Sequence, residues 1–271
     1  MSPRGPHIHK LFDLTGKVAM VTGGTQNLGL DMAEALGEAG GDVVITSRQA
    51  DKAEKAAEEL RARVAGKVLG LGLDVVDEES VRAAFEKVAS AFGRLDALVC
   101  NAGGSRRTGG ASTDAMNAED WDYVVGVNMR GTFLCCRAAL PIMKRQKSGS
   151  IIIIASMSGI VGRDRSVYEG SPGMVPNMTV YSAAKSGQIG FMRDVAAENG
   201  RSGIRVNAIS PGGFERGQPA EFVRRYSQAT PLGHMGKDGT DLKGAVVYLA
   251  SDASGYVTGH NLVVDGGFTM W

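Results

Sequence analysis

The stretch KVAMVTGGTQNLG, residues 17–29, decides the fold. Its first half is a short apolar run, its second half a glycine-punctuated turn, and the residues from Leu28 to Ala39 then carry apolar side chains at helical period. A buried strand that turns through glycines into a helix gathers backbone N–H groups and a helix N-terminus at one point, where a pyrophosphate can bind. The pattern is imperfect. Gly23 and Gly29 flank the turn, but Asn27 stands where a middle glycine is expected. Asparagine tolerates left-handed backbone better than most residues, so the turn is expected to survive the change. An ordinary tight turn between strand and helix would look similar, and the loop alone does not choose.

The same alternation continues outward along the chain. KVAMVT (17–22), DVVIT (42–46), KVLGLGL (67–73), DALVC (96–100), SIIIIA (150–155), IRVNAI (204–209) and NLVVD (261–265) read as seven buried strands. Between them, Leu28–Ala39, Asp51–Ala65, Glu78–Phe92, Ala118–Lys144, Val180–Gly200 and Asp241–Ala250 have helical period. Strand and helix in alternation predict an α/β fold, a doubly wound parallel sheet with helices on both faces. No linker or solenoid repeat interrupts it, so residues 1–271 are expected to form one domain with an N-terminal extension over 1–13. Ligands of such sheets bind beyond the carboxyl ends of the strands.

Composition narrows the function. Hydrophobic residues make up 43%, charged residues 22%, and the net charge is +1, which offers no basic footprint for nucleic acid. The longest aliphatic run, residues 151–155, is too short to span a bilayer, and MSPRGPHIHK has no apolar core for secretion, so a cytoplasmic protein without a membrane partner is expected. Cys100, Cys135 and Cys136 lack metal-ligand spacing with each other or with the four histidines, so no metal is expected.

Two further features bear on chemistry. Ser47 and Arg48 end the second strand, where an acidic residue would meet the ribose hydroxyls of NAD; an arginine there suits a 2′-phosphate. In TVYSAAKSG, residues 179–187, Tyr181 and Lys185 lie four apart, on one face of a helix. A protonated lysine there would favour the phenolate and make the phenol an acid or base near neutral pH. A tyrosine packed on a lysine stem would give the same spacing.

The order of motifs resolves these alternatives. TGGTQNLG, the Leu73-Asp74-Val75 triplet, CNAG (100–103), VNMRG (127–131), IIIIASMSG (151–159), YSAAK (181–185) and SPGG (210–213) follow one another on the predicted elements. With the tail LASDASGYVTGHNLVVDGG (249–267), they resemble the short-chain dehydrogenase/reductase family from about Leu14 to Gly267. The resemblance implies a Rossmann-type fold and hydride exchange between a nicotinamide cofactor and an alcohol or carbonyl. It implies that Tyr181 is the general acid/base, that Ser156 stabilises the substrate oxygen, that Lys185 lowers the Tyr181 pKa and holds the ribose, and that Asn128 relays protons through a water.

The cofactor contacts it implies are Gly23, Thr25, Asn27, Leu28, Gly29, Ser47, Arg48, Asp74, Val75, Asn101, Ala102, Gly103, Tyr181, Lys185, Pro211, Gly212, Gly213 and Phe214. With Arg48, NADP is the expected cofactor, with NAD as the other possibility. A homotetramer is expected, as its relatives often are. A small sugar, polyol or sugar acid is the expected substrate; a 3-oxoacyl-thioester reductase, or a nucleotide-sensing or scaffold protein without turnover, are the alternatives.

The chain departs from the family between Ser156 and Tyr181, which stand 25 positions apart, farther than is usual. The added residues, an insertion at 160–179, start and finish near the site and are expected to form a wall or lid of the substrate pocket. Tyr168 within it has Pro172 four residues on, not lysine, and is not the catalytic tyrosine. Arg216 stands where the family commonly has a threonine. Arg106, Arg107, Arg163, Arg165 and Arg216 are all expected at the same edge, where converging arginines would select an anionic substrate. Tyr168 is expected to line that pocket as well.

Overall fold

The computed structural model describes residues 5–271, so the first four residues of the expected N-terminal extension lie outside the described residues. The strands are β1 (Val18–Val21), β2 (Asp42–Ser47), β3 (Val68–Gly72), β4 (Ala97–Cys100), β5 (Gly149–Ile154), β6 (Ile204–Pro211), β7 (Phe214–Glu215), β8 (Gly236–Lys237) and β9 (Asn261–Val264). The helices are α1 (Ile8–Phe12), α2 (Asn27–Glu38), α3 (Ala50–Arg61), α4 (Glu78–Phe92), α5 (Ala118–Val125), α6 (Gly131–Gln146), α7 (Thr179–Asn199), α8 (Ala220–Gln228) and α9 (Lys243–Ala250).

Seven strands form one parallel sheet in the order β3-β2-β1-β4-β5-β6-β9. Successive side chains of a strand point to opposite faces, yet both faces are covered, which is why these strands read as unbroken apolar runs. Met20, Leu98, Ile151 and Ile153 pack with α4, α6 and α7 on one side. Ala19, Val21, Val99 and Ile152 pack with α2, α3 and α9 on the other. The three cysteines are free thiols within the first of these layers. Strand order reverses between β1 and β4, and their carboxyl ends open the crevice in which doubly wound sheets bind ligands.

Local signals set several boundaries. Asp77 caps α4, its carboxylate accepting the Glu79 and Ser80 N–H groups, and Gly93 ends the helix in left-handed conformation at φ 71°. The predicted single helix over 118–144 is instead α5 and α6 joined by a π-helical turn, Gly126–Arg130. Such a turn shifts the hydrogen-bond register and frees main-chain carbonyls for other donors.

Helix α8 and the two-residue pair β7–β8 were not predicted. The insertion carries a single 3₁₀ turn, Ser166–Tyr168, and docks on α8. Val167, Phe222, Tyr226 and Met235 are buried together, with Met157, Tyr168, Met174 and Phe268 packed around them. The Tyr168 and Phe222 ring centres lie 5.2 Å apart, and Arg225 of α8 donates to the Ser166 carbonyl. Among the described residues no helix is long and apolar enough to cross a membrane, and no cluster of His, Cys, Asp and Glu could hold a metal ion.

Candidate active site

The turn after β1 is built around Thr22, whose hydroxyl accepts the N–H groups of Asn101 and Ala102 at 3.0 Å each. Asn101 returns its amide to the carbonyls of Thr22 and Gly23, which ties the turn to the β4 exit loop. Gly23 has φ 62°, and Asn27 takes the left-handed conformation at φ 50°, as its residue type allows. Gly29 is fixed by space: a Cβ there would stand 2.4 Å from the Gly23 carbonyl oxygen and 2.6 Å from Asn101 Nδ2. Gln26 precedes α2 without capping it through its side chain, so the first N–H groups of the helix remain open to an anion.

These elements enclose a groove of about 780 Å³. Of the predicted cofactor residues, Gly23, Thr25, Asn27, Leu28, Gly29, Ser47, Arg48, Asp74, Val75, Asn101, Ala102 and Gly103 line it. Lys52 lines it too and was missed; it lies one turn after Arg48 and donates to Gln26 Oε1 at 2.8 Å. Gln26, Asp122, Tyr123 and Arg130 are further unpredicted wall residues. The loop after β6 behaves differently. Phe214 turns into the core and is 5% exposed, the Gly213 N–H donates to the Tyr226 hydroxyl, and its carbonyl accepts from Gly236. Pro211, Gly212, Gly213 and Phe214 are not among the groove's walls: Pro211 and Gly212 pair with β9, and Gly213 and Phe214 with the β7–β8 pair; Arg216 lines it instead.

A dinucleotide fits this groove by its chemistry. Open helix N–H groups and a glycine-rich turn suit a pyrophosphate, while Arg48 and Lys52 beside Ser47 suit a further phosphate on the ribose.

Tyr181 and Lys185 lie on α7, and Ser156 follows the end of β5. Lys185 is buried; Nζ donates to the Ile154 carbonyl at 2.7 Å and lies 5.6 Å from the Tyr181 ring centre. Burial pushes its pKa down to about 7. Burial also raises the Tyr181 phenol above its ordinary value, while the Ser156 hydroxyl and the Arg163 guanidinium pull it the other way. Among the groups that lower the phenol, Arg163 supplies the charge.

Asn128 is fully buried in the π-helical turn, and its Nδ2 donates to the Gly104 and Val124 carbonyls. The main-chain carbonyl of Asn128 accepts Thr132 Oγ1 at 2.7 Å and Gln188 Nε2 at 2.9 Å. These contacts tie the turn to α6, α7 and the β4 exit loop, while the buried Asn128 Oδ1 has no hydrogen-bond partner among the described residues.

The five arginines meet different partners. Arg106 stacks on Tyr123 at 4.6 Å and faces Asp120; Arg107 is exposed. Arg216 pairs with Asp238 at the dinucleotide groove, Arg165 is exposed, and only Arg163 reaches towards Tyr181. Tyr168 packs on α8, and burial raises its phenol above the ordinary value.

A nucleotide groove at the switch point of a parallel sheet, beside a serine, tyrosine and lysine on adjoining elements, defines a dinucleotide-dependent oxidoreductase. A family model described as Enoyl-(Acyl carrier protein) reductase matches residues 23–269. The chain is 38% identical to an NADP-dependent mannitol dehydrogenase of Hypocrea jecorina, over 98% of this chain and 97% of that one. It is 34% identical to a 3-oxoacyl-acyl-carrier-protein reductase of Aquifex aeolicus, over 94% and 98%. A solved gluconate 5-dehydrogenase from Burkholderia cenocepacia, in complex with NADP and tartrate, superimposes with a TM-score of 0.86 at 33% identity, covering 98% of this chain and all of that one. The chain belongs to the short-chain dehydrogenase/reductase family.

Proposed function

We propose that the chain is an NADP-dependent oxidoreductase that interconverts an alcohol and a carbonyl on a sugar, polyol or sugar acid. The carrying observation is the placement of Tyr181, Lys185 and Ser156 where β5 and α7 meet, with Lys185 anchored on the β5 carbonyl of Ile154. Bound NADP supplies or takes up the hydride. In reduction, the Tyr181 hydroxyl gives its proton to the substrate oxygen, and Ser156 hydrogen-bonds the same oxygen as charge develops on it. A phenol held above its ordinary value keeps its proton at neutral pH, which favours this acid role. Lys185 holds the ribose and favours the phenolate of Tyr181, and Asn128 in the π-helical turn relays protons through a water. Gly23 to Gly29 receive the pyrophosphate, and Arg48 and Lys52 the 2′-phosphate.

The mannitol and gluconate enzymes among its relatives support the polyol and sugar-acid class. The second reading, reduction of a 3-oxoacyl thioester, is favoured by the Aquifex relative. A panel of polyols, ketoses, sugar acids and a 3-oxoacyl thioester, followed by NADPH absorbance, separates the two. Turnover of the thioester alone would overturn the sugar reading, and NADP binding without turnover of any member would favour a nucleotide sensor. A homotetramer in the cytoplasm completes the proposal; light scattering and cell fractionation test it.

A further inference from the structure

We propose that Arg163 is a positioning residue that spans the mouth of the insertion and holds Ser156 and Tyr181 in one geometry. The insertion separates two residues that must meet on one substrate oxygen, so its two ends need a tie. The guanidinium provides one. Arg163 Nη2 donates to Ser158 Oγ at 2.7 Å, and Nη1 donates to the Asn177 carbonyl at 2.7 Å. Ser158 in turn donates its N–H to Ser156 Oγ at 3.2 Å, which links the arginine to the catalytic serine. Asn177 directly precedes Met178, whose carbonyl accepts the Tyr181 N–H at 3.0 Å in the first turn of α7. One planar group with fixed donors thus reaches both catalytic approaches, a task that suits arginine better than lysine.

The charge of Arg163 acts in the same direction as its geometry. The charged groups at the Tyr181 hydroxyl are Arg163 from the insertion and Lys185 from its own helix; Tyr168 and Tyr226 share the Arg163 charge. Arg163 is partly buried, where solvent screens it less than a surface group. Two of its donors are committed to Ser158 and Asn177, which sets it apart from an arginine that waits for a substrate anion.

A competing tie exists. Gly159 packs against the Lys185 main chain, where a Cβ would stand 2.7 Å from the Lys185 carbonyl carbon, and its own carbonyl accepts Ser186 Oγ. If that contact alone sets the geometry, Arg163 is dispensable.

The inference rests on the proposed role of Tyr181, and the experiment separates the two. Arg163→Gln, Arg163→Lys and Arg163→Ala are assayed in the full chain with NADP and its best alcohol substrate, beside Tyr181→Phe. Arg163→Gln is expected to lower kcat by roughly tenfold or more with little change in cofactor affinity. Its acidic limb of kcat/KM for alcohol oxidation is expected at higher pH, since the base form of Tyr181 has lost a favourable charge. Arg163→Lys should restore the limb but only part of kcat, and added guanidinium ion should partly rescue Arg163→Ala. An unmoved pH limb overturns the proposal, whether kcat falls or not. So does a loss confined to KM for acid substrates, which would make Arg163 an anion ligand. Full turnover by Tyr181→Phe would instead overturn the assignment of the tyrosine.

Discussion

Lys185 Nζ stands 5.6 Å from the centre of the Tyr181 ring, one turn along α7, with its hydrogen bond directed to the Ile154 carbonyl at the end of β5. The lysine is thus fixed between the sheet and the phenol, buried among groups that do not carry a compensating charge.

That burial predicts a pH dependence of stability. The folded cofactor-free chain holds the Lys185 proton only below about 7. The unfolded chain holds it up to the ordinary lysine range, so it binds more protons between the two values and stability rises with pH across that window. The penalty is complete below about 7. Urea unfolding of the wild type and Lys185→Met should therefore diverge, the wild type gaining on the variant as pH rises above neutral. Parallel curves would show that Lys185 keeps its proton in the folded state.

Tyr181→Phe removes the acid/base hydroxyl and little else. Turnover should fall by about 10²–10⁴-fold, the usual range for a lost general acid. NADPH binding, followed by nicotinamide fluorescence, should persist. Tyr168→Phe, on the α8 side of the insertion, should retain turnover. Equal losses in two folded variants would mean that the wrong tyrosine has been assigned.

Cofactor choice rests on the end of β2. Arg48→Asp should reverse the preference from NADP to NAD, because attraction to the 2′-phosphate becomes repulsion. Lys52→Ala should weaken NADP binding without reversing the preference, since one positive charge remains. Identical binding of both cofactors before and after the Arg48 change would place the discrimination elsewhere.

Gly29→Ala tests the cradle. Its Cβ would meet the Gly23 carbonyl oxygen at 2.4 Å, so the turn must shift. Overpacking of this kind costs about 1–3 kcal/mol. If the strain falls on the phosphate loop, affinity for NADP should drop by roughly tenfold or more. Unchanged cofactor affinity and thermal stability would argue that the loop yields freely.

The sheet was legible because a parallel strand buried on both faces is a continuous apolar run, and all seven appear within a residue or two of the predicted ranges. The order of the motifs carried the dinucleotide groove in the same way. Helix α8 was not legible. Its buried residues, Phe222 and Tyr226, make a single contact row whose purpose appears only when Val167 and Tyr168 of the insertion lie against it. The π-helical turn at Asn128 is a matter of hydrogen-bond register, which side-chain periodicity does not encode. The partners of the arginines, Asp120, Asp238, Ser158 and Asn177, were not legible for a related reason: they are set by the folded loops and not by sequence spacing.

The shared apolar cluster of the insertion and α8 constrains how new specificities can be engineered into this scaffold. Residues 160–179 look like a detachable module, open to exchange with the shorter connection of a relative. Excising them would strip Val167, Tyr168 and Met174 from Phe222 and Tyr226, leaving an aromatic face bare beside the Gly213 turn. A recombinant enzyme that trades one segment without the other inherits half an interface. The unit of exchange is the pair, two distant stretches of chain that function as one cassette.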